Sequence, residues 1–366
     1  MSDNLKNSKG RGAQINVRNK FLELSHEMRE DFLEYCRLEG EIADKNKTSY
    51  LEVFPKTIVN KVTSPDVGMG YSMNPYQGCE HGCIYCYARN SHEYWGYSAG
   101  LDFERKILVK KNAPQLLEKK LLSRNWQAKT IVMAGNTDCY QPAEQKFRIT
   151  RKCLEVFLKY KHPVAIITKN AFILRDLDII KELTSQGLIA VNVSITSLSE
   201  DTRRVLEPRT ASIKKRLETV KTLSDNMVPV NVMMAPIIPS INSHEILPLA
   251  KTVRKHGAIS IGFTVVRLNG AIGEIFTDWI HKTLPDKAEK VLHQIAECHG
   301  GTLNDSRYGV RKTGEGKIAE QIHALIKIAR QQYFSDIQMP QLNKSLFNMQ
   351  RELFKNSPPG QMNLFE

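Results

Sequence analysis

Three cysteines stand within eight residues of this chain, at a spacing that is typical of a metal-binding loop. Cys79, Cys83 and Cys86 are separated first by three residues and then by two. A [4Fe-4S] cluster held by four thiolates passes electrons only, whereas one held by three leaves an iron that can bind and activate a small molecule. The spacing therefore indicates a cluster with one open iron.

Two other uses of these thiols have to be weighed. A zinc site needs a fourth Cys or His, usually in a second pair at finger-like spacing, and the sequence has no such pair. His81 and His92 are the nearest candidates, and His81 lies inside the loop itself. Seven cysteines in 366 residues are not a disulfide scaffold. Zinc remains the alternative. The scattered Cys36, Cys139, Cys153 and Cys298 are interpreted as buried apolar residues.

Length and composition are typical of a cytoplasmic enzyme. The chain is 41% hydrophobic and 25% charged, which suits one large domain with appendages. Its first twelve residues are polar and contain no apolar core of a signal peptide. No run of about 18 apolar residues is present, so we expect no membrane-spanning helix. An exposed iron–sulfur cluster also requires a reducing interior, which points to the cytosol.

The formal net charge of +13 is unevenly distributed. Residues 1–70 hold 11 basic and 11 acidic residues, so the whole excess lies in residues 71–366. The densest basic stretches lie in residues 105–129, 146–152 and 203–216. A polyanion such as DNA or RNA is one interpretation, because neutralising phosphates supplies most non-specific affinity. The other interpretation is a set of solvated helix surfaces.

The chain alternates short apolar runs with longer amphipathic stretches. A first strand is predicted at about residues 71–74, and five buried strands are predicted at 130–134, 163–168, 188–195, 228–234 and 259–266. Helices are predicted at 144–160, 172–186, 200–226 and 243–256. Six βα units with right-handed crossovers close most of a barrel. The sequence therefore predicts an α/β fold, a partial (β/α)6 barrel.

In such barrels, chemistry takes place at the carboxyl ends of the strands. The cysteine loop follows the first strand, and the polar segment Ala134–Pro142 follows the second. The third strand ends in Thr168–Lys169, and the fourth delivers Ser194 and Thr196. The fifth ends in Ala235–Pro236. Each of these segments is either an ordinary polar strand end or part of one binding site at the rim of the barrel, which the carboxyl ends of the strands form.

The cysteine spacing closely resembles that of the radical S-adenosylmethionine (SAM) superfamily. Residues 207–217 and 235–239, with Tyr85 and Tyr87 on either side of Cys86, resemble the branch that contains spore photoproduct lyase, often labelled DNA repair photolyase-like. Residues 10–16 and 19–21 resemble an uncharacterised subgroup of that branch. The resemblance covers about residues 10–270.

This resemblance implies a TIM-type barrel of the radical SAM type, with an N-terminal extension and a C-terminal helical segment. It also implies that Cys79, Cys83 and Cys86 bind a [4Fe-4S] cluster whose open iron chelates SAM. One electron from a flavodoxin or ferredoxin then yields methionine and a 5′-deoxyadenosyl radical. The radical is expected to act on nucleic acid in a lyase-type or oxidoreductase-type reaction. The alternatives are modification of RNA, protein or a small molecule, and a non-catalytic basic protein that binds nucleic acid.

The resemblance also assigns SAM contacts to the rim. The family's usual Gly-Gly-Glu, at the place where the amino group of SAM is held, is replaced here by Gly135, Asn136, Thr137 and Asp138, so this contact stays open. Lys169 is expected to pair with the SAM carboxylate, Ser194 to bind the ribose, and the backbone of Ala235 to contact adenine. Tyr85 and Tyr87 complete the predicted cofactor-binding set. Cys139 lies near the position of the lyase's hydrogen-donor cysteine but is offset from it.

The sequence divides into four predicted regions. We expect residues 1–68 to form a partly disordered N-terminal extension, 69–270 the core barrel, 271–355 a helical segment and 356–366 a flexible tail. Helices predicted at 279–298 and 317–333 would cover the open side of the barrel. Gln361 to Phe365 resembles the peptide that binds bacterial sliding clamps. The alternative is a tail that folds Leu364 and Phe365 back onto its own surface.

Overall fold

The strands in the described part of the chain form two sheets. The computed structural model describes residues 10–21 and 47–356, the last six of these by backbone alone. The strands are β1 (Ser49–Val53), β2 (Val59–Lys61), β3 (Tyr71–Met73), β4 (Tyr76–Gln77), β5 (Lys106–Lys110), β6 (Ile131–Met133), β7 (Val164–Thr168), β8 (Ile189–Ser194), β9 (Val230–Ile237) and β10 (Ser260–Val265). Within these residues, the larger sheet has the order β10-β9-β8-β7-β6-β3-β2 and the smaller one β1-β5-β4.

Six strands of the larger sheet run parallel, from β3 through β6, β7, β8 and β9 to β10. Tyr71 lies opposite Ile131, which in turn lies opposite Val164. The short β2 pairs antiparallel with β3 at one edge. The predicted partial (β/α)6 barrel is therefore confirmed.

The predicted strands all occur within three residues of their expected bounds. They are nearly continuous apolar runs because a parallel strand is covered on both faces. Val191, Val230 and Val232, for example, are fully buried. The β1-β5-β4 sheet, in contrast, was not predicted.

Helices occupy the crossovers and the C-terminal part. They are α1 (Leu101–Arg105), α2 (Ala113–Leu122), α3 (Ala143–Phe147), α4 (Ile149–Lys159), α5 (Leu177–Ser185), α6 (Glu200–Leu206), α7 (Ile213–Asp225), α8 (Ile246–Lys255), α9 (Ile272–Thr283), α10 (Ala288–Glu297), α11 (Gly316–Tyr333) and α12 (Ser345–Asn356). Short 3-10 helices span Tyr87–Trp95, Ala171–Asp176, Ser243–Glu245 and Pro285–Lys287. No helix in the described ranges has the length and apolarity needed to cross a membrane.

Several predicted helices are divided in the structure. The stretch 144–160 breaks at Arg148, which has a left-handed φ of 53°. The buried carboxylate of Glu144 then accepts the backbone N–H of Thr150 at 2.9 Å, which caps the start of α4. The stretch 200–226 breaks before Pro208, since a proline disfavours helical backbone in the residue that precedes it.

A helix and an irregular segment of the C-terminal part lie at the two end strands of the barrel. Helix α11 packs against α8, and Arg330 on it donates to the carbonyl of Ile261 in β10 at 3.2 Å. Arg311 instead links the segment after β10 to the loop that follows β2, through Asp66 at 2.6 and 2.7 Å. An irregular segment, not a helix, therefore joins the two end strands. Helix α9 packs on the cysteine loop, where Ile272 and Phe276 share a cluster with Ile84.

Candidate functional site

The cysteine loop leaves the carboxyl end of β3 and runs into the 3-10 helix Tyr87–Trp95. Cys79 and Cys83 are buried, Cys86 is half-buried, and all three are free thiols. Burial raises the pKa of each thiol above its ordinary value. Neutral thiols in such a site lose their protons when they ligate a metal.

The donor set fits an iron–sulfur cluster. Among residues 10–21 and 47–356, no three His, Cys, Asp or Glu side chains converge closely enough to hold a single metal ion. A cubane requires a different arrangement, because each thiolate binds a different iron. Three adjacent free thiols on one loop supply ligands of the type that such a cluster takes.

A buried ion pair holds the loop from within. Arg89 Nε and Nη2 both donate to the carbonyl oxygen of Cys83, at 3.1 and 2.9 Å. The same guanidinium pairs with Glu104 at 2.6 Å, and both side chains are fully buried. The carbonyl of the middle cysteine is thus fixed by a charge-assisted hydrogen bond.

Residues 10–17 form a strap across this loop. Glu104 accepts the backbone N–H groups of Gly12 and Ala13 at 3.2 and 2.8 Å. A Cβ on Gly12 would lie 1.7 Å from the carbonyl oxygen of Gly82, so only glycine permits the contact. Gly82 itself has a φ of 67°, a left-handed conformation that favours glycine. The strap and the cysteine loop therefore fit closely together.

Asp138 joins the loop to the next two strands. It follows β6 and accepts hydrogen bonds from Thr168 Oγ1 at 2.8 Å and from the N–H of Lys169 at 2.7 Å. Its carboxylate also lies 3.3 Å from His81 Nδ1. Burial alone would raise the pKa of Asp138, but the His81 imidazole and the backbone N–H groups of Lys169 and Tyr140 lower it. His81 is thus engaged with Asp138 inside the cysteine loop.

Glu207, after α6, is the centre of a second buried network. It accepts hydrogen bonds from Tyr85 Oη, from Thr196 Oγ1 at 2.9 Å and from Arg216 Nη2 at 2.5 Å. Lys169 Nζ lies 3.9 Å away. Burial would raise its pKa, but the two cations and the tyrosine lower it to about 2. One carboxylate therefore connects the cysteine loop with the ends of β7 and β8.

The predicted contacts after β6 are largely engaged with the chain itself. The backbone N–H groups of Asn136 and Thr137 donate to Asn74 Oδ1, at 2.8 and 3.4 Å. The Thr137 hydroxyl donates to the carbonyl of Tyr76 at 2.6 Å. Tyr87 donates to the carbonyl of Gly135. A carbonyl oxygen has two lone pairs, so Gly135 can still accept a second donor.

The remaining predicted contacts lie on the same rim. Lys169 is half-buried with its ammonium facing Glu207, which puts it beside a carboxylate of the chain. Ser194 is buried, and its carbonyl accepts Arg216 Nη1 at 2.9 Å. Ala235 is half-buried at the end of β9, before Pro236. The structure thus brings together the ends of β3, β6, β7 and β8, and Ala235 stands on the next strand.

Sequence reasoning missed four residues that organise this site: Arg89, Glu104, Glu207 and Arg216. Glu104 binds the strap across 91 positions of sequence, and no local spacing reveals such a pair. Glu207 was noted only as part of a resembling run. The local signal was limited to the basic residues that follow each carboxylate, at 105–106 for Glu104 and at 209–216 for Glu207.

The comparisons with known proteins agree with this geometry. The family model of the radical SAM superfamily matches residues 73–253, which contain the cysteine loop and the rim up to β9. This chain belongs to the radical SAM superfamily. Radical SAM proteins use a [4Fe-4S] cluster and SAM as cofactors, so the chain is an enzyme of that chemistry.

Two relatives of this radical SAM protein are described as uncharacterised proteins. One, from Methanocaldococcus jannaschii, is 30% identical over 196 residues, which cover 54% of this chain and 70% of that one. Another, from Mycobacterium tuberculosis, is 28% identical over 241 residues, covering 65% and 71%.

Solved structures of spore photoproduct lyase have a similar fold. The complex with dinucleoside spore photoproduct has a TM-score of 0.57 at 17% identity, over 78% of this chain and 80% of that one. A variant with bound AdoMet and the same dinucleoside has a TM-score of 0.58 at 16% identity, over the same shares. At this identity the likeness concerns the fold.

Cys139 does not reach the rim of this radical SAM barrel. Its side chain is fully buried in the main core, and burial raises the pKa of its thiol. Its carbonyl accepts Thr150 Oγ1 at 2.6 Å, which ties it to α4.

Proposed function

We propose that Cys79, Cys83 and Cys86 hold the [4Fe-4S] cluster and that the enzyme acts on nucleic acid. When bound and reduced by one electron, the cluster and SAM supply a 5′-deoxyadenosyl radical. The observation that carries the proposal is the buried loop of three free thiols at the end of β3, tied to its neighbours through Asp138 and Glu207. The role of the protein is to position both cofactors and exclude water.

The same rim would hold SAM. The Gly135 carbonyl, which has a second lone pair, would accept the amino group of SAM beside the exposed side chain of Asn136. Lys169, whose ammonium lies 3.9 Å from Glu207, would pair with the carboxylate of SAM. Ser194 would bind the ribose, the backbone of Ala235 would contact the adenine, and Tyr85 and Tyr87 would complete the binding set.

A nucleic-acid substrate is supported by fold and charge. The similar lyase structure binds a dinucleoside photoproduct, and this chain carries a net charge of +13. Not all of that charge faces solvent: Arg216 is buried, and Arg151 pairs with Asp176 and Asp178. Lys214 and Lys215 on α7 remain exposed. We therefore propose that the enzyme carries out a lyase-type or oxidoreductase-type reaction on nucleic acid, of the kind that repairs DNA.

The partners follow from this chemistry. A flavodoxin or ferredoxin supplies the electron, in the reducing cytosol that the cluster requires. The sliding-clamp peptide Gln361 to Phe365 lies outside the described residues, so the clamp remains a prediction from sequence. Removing the last six residues and measuring retention on an immobilised clamp tests it.

Anaerobic reconstitution followed by a SAM cleavage assay tests the enzyme claim. We expect 5′-deoxyadenosine to form with dithionite or reduced flavodoxin, and its formation to rise when the correct nucleic acid is added. Retention on duplex DNA and structured RNA over a salt gradient separates the substrate classes. A fully loaded cluster that yields no 5′-deoxyadenosine would remove the proposal.

A further inference from the structure

An exposed aromatic surface lies next to the cysteine loop. We define it by Tyr87, Tyr94 and Trp95 on the 3-10 helix Tyr87–Trp95 together with Phe21 of the N-terminal segment. Their exposed fractions are 55%, 73%, 40% and 51%. Solvent-exposed aromatic rings that cluster on one element usually mark a binding surface. The proposed cluster chemistry does not use Phe21, Tyr94 or Trp95.

The aromatic surface stands on a well-packed scaffold. The opposite face of the 3-10 helix is buried through Arg89, His92 and Glu93. Asn19 Nδ2 donates to the carbonyl of Glu93 at 2.9 Å, and Asn19 Oδ1 accepts the N–H of Phe21 at 2.8 Å. These bonds hold the ring of Phe21 against Tyr94, with centroids 4.7 Å apart. Rings that are already in place lose little entropy on binding a ligand.

The charges around this surface favour an anion. Residues 10–21 and 87–106 contain three carboxylates, of which Glu93 and Glu104 are buried and Asp102 pairs with Lys106 at 3.2 Å. The same two ranges hold six cations, Arg11, Arg18, Lys20, Arg89, Arg105 and Lys106, so together they carry a formal net charge of +3. Lys20 is exposed, with its ammonium 5.0 Å from the Phe21 ring and 3.7 Å from Glu93, and the ammonium of Lys106 lies 4.7 Å from the Tyr97 ring.

We propose that the aromatic surface binds an unpaired nucleic-acid strand by stacking its bases. The inference rests on the proposed function and specifies its substrate class. Interleaved rings and cations are the arrangement that single-stranded nucleic acid requires, since every base has a π-face and every linkage a phosphate. In a duplex, the faces of the bases are covered by the neighbouring base pairs, so a duplex should not stack on these rings. Nine residues of 3-10 helix extend about 16 Å at about 2 Å per residue, a span of about five stacked bases at about 3.4 Å.

The surface leads to the proposed active site. Tyr87, at its near end, donates to the carbonyl of Gly135 on the rim, while Tyr94 and Trp95 lie at the far end. Asn90 on the same helix donates to the carbonyl of Asn269 after β10 at 2.8 Å. The strand is therefore guided along the helix toward the mouth of the barrel.

Tryptophan fluorescence of the full chain reports on this surface directly. Of the three tryptophans, Trp126 and Trp279 are buried, so Trp95 supplies the exposed emission. Titration with octathymidylate, which forms no duplex, is expected to quench that emission, and added salt is expected to weaken the binding. A duplex of mixed sequence and polyglutamate of equal charge serve as competing ligands. Trp95→Phe should remove the signal.

Tyr94→Ala should weaken octathymidylate binding, measured by anisotropy of a labelled strand, by about fivefold or more. The matched control is Phe54→Ala, which removes an equally exposed ring from the loop after β1 and should leave the affinity unchanged. Equal losses in both variants, no quenching, or equally tight binding of duplex or polyglutamate would each overturn the inference.

Uncoupled SAM cleavage by the wild-type protein is measured in the same preparation. Its absence would refute the proposed function. Cleavage that occurs while octathymidylate fails to quench Trp95 would refute the stacking surface alone.

Discussion

Arg89 donates two hydrogen bonds to the carbonyl oxygen of Cys83, the middle cysteine of the loop. The same guanidinium is neutralised by Glu104, which also binds the N-terminal strap. One buried ion pair thus links residues 10–17 to the proposed ligand loop. It is a positioning device, because its atoms hold backbone groups and the thiols remain free for a metal.

Glu104→Gln is expected to destabilise the fold and shift the cluster. It leaves Arg89 buried without a counter-charge, which should lower the free energy of unfolding by about 3–5 kcal/mol. An uncompensated cation near the cluster favours its more negative, reduced state, so the midpoint potential should rise. Urea unfolding and an EPR-monitored redox titration measure the two effects.

The control for this substitution is Glu118→Gln. Glu118 accepts Lys159 at 2.8 Å at a partly exposed position, so the same change should cost less than about 1 kcal/mol and leave the potential unchanged. If Glu104→Gln lowered stability but left the potential at the wild-type value, the positioning role would be wrong.

Gly12→Ala should loosen the strap. The new methyl group would meet the backbone oxygen of Gly82 at 1.7 Å, and a backbone atom cannot move aside cheaply. We expect a loss of about 1–3 kcal/mol and fewer iron atoms per chain after reconstitution. Gly70→Ala is the matched control, since a Cβ there meets nothing within 4 Å. Equal iron content in the two variants would contradict the account.

His162 should make stability depend on pH. Trp126 Nε1 donates to its Nε2 at 3.0 Å, and its Nδ1 lies 3.0 Å from the carbonyl of Pro163, so the ring is held neutral. Burial lowers its pKa to about 3, below the value of about 6.5 in an unfolded chain. Between these values only the unfolded state binds the proton. The contribution is fully present above pH 6.5 and decreases as the pH falls, by up to about 1.4 kcal/mol per unit.

His162→Gln should therefore flatten the decline in urea midpoint between about pH 6.5 and 4.5, even if the variant is less stable overall. His244→Gln, at an exposed position, is the control and should keep the wild-type slope. An unchanged slope in His162→Gln would show that another group titrates.

Cys139→Ala should keep the cluster and SAM cleavage, because its side chain is buried in the core and not on the rim. The small cavity should cost about 1 kcal/mol. Cys153→Ala, equally buried, is the control. If Cys139→Ala alone altered the products formed from nucleic acid, Cys139 would have to reach the substrate.

The barrel was predictable because its strands are local signals. A buried parallel strand is an apolar, β-branched run, and β7, β8 and β9 each have this composition. The small sheet was missed for the opposite reason. β4 has two residues, and β5 has lysine at both ends, so neither gives a recognisable pattern. The helix break at Arg148 was missed because it depends on Glu144, whose carboxylate binds Tyr76, far away in sequence, and the backbone N–H of Thr150.

The proximity of Cys79, Cys83 and Cys86 was predictable from their spacing alone, because all three lie on one loop. The groups that hold the loop were not, since Glu104 and Glu207 act across long sequence separations and their partners meet only in the folded chain. The position of Lys169 directly after β7 was predictable from the strand pattern, while its proximity to Glu207 required the structure.

Spectroscopy of the anaerobically reconstituted protein tests the central claim most directly. We predict a [4Fe-4S] signal whose EPR spectrum changes when SAM is added, and that is lost in Cys83→Ala but kept in Cys153→Ala. Bound zinc, or a cluster whose spectrum does not respond to SAM, would contradict the assignment of Cys79, Cys83 and Cys86.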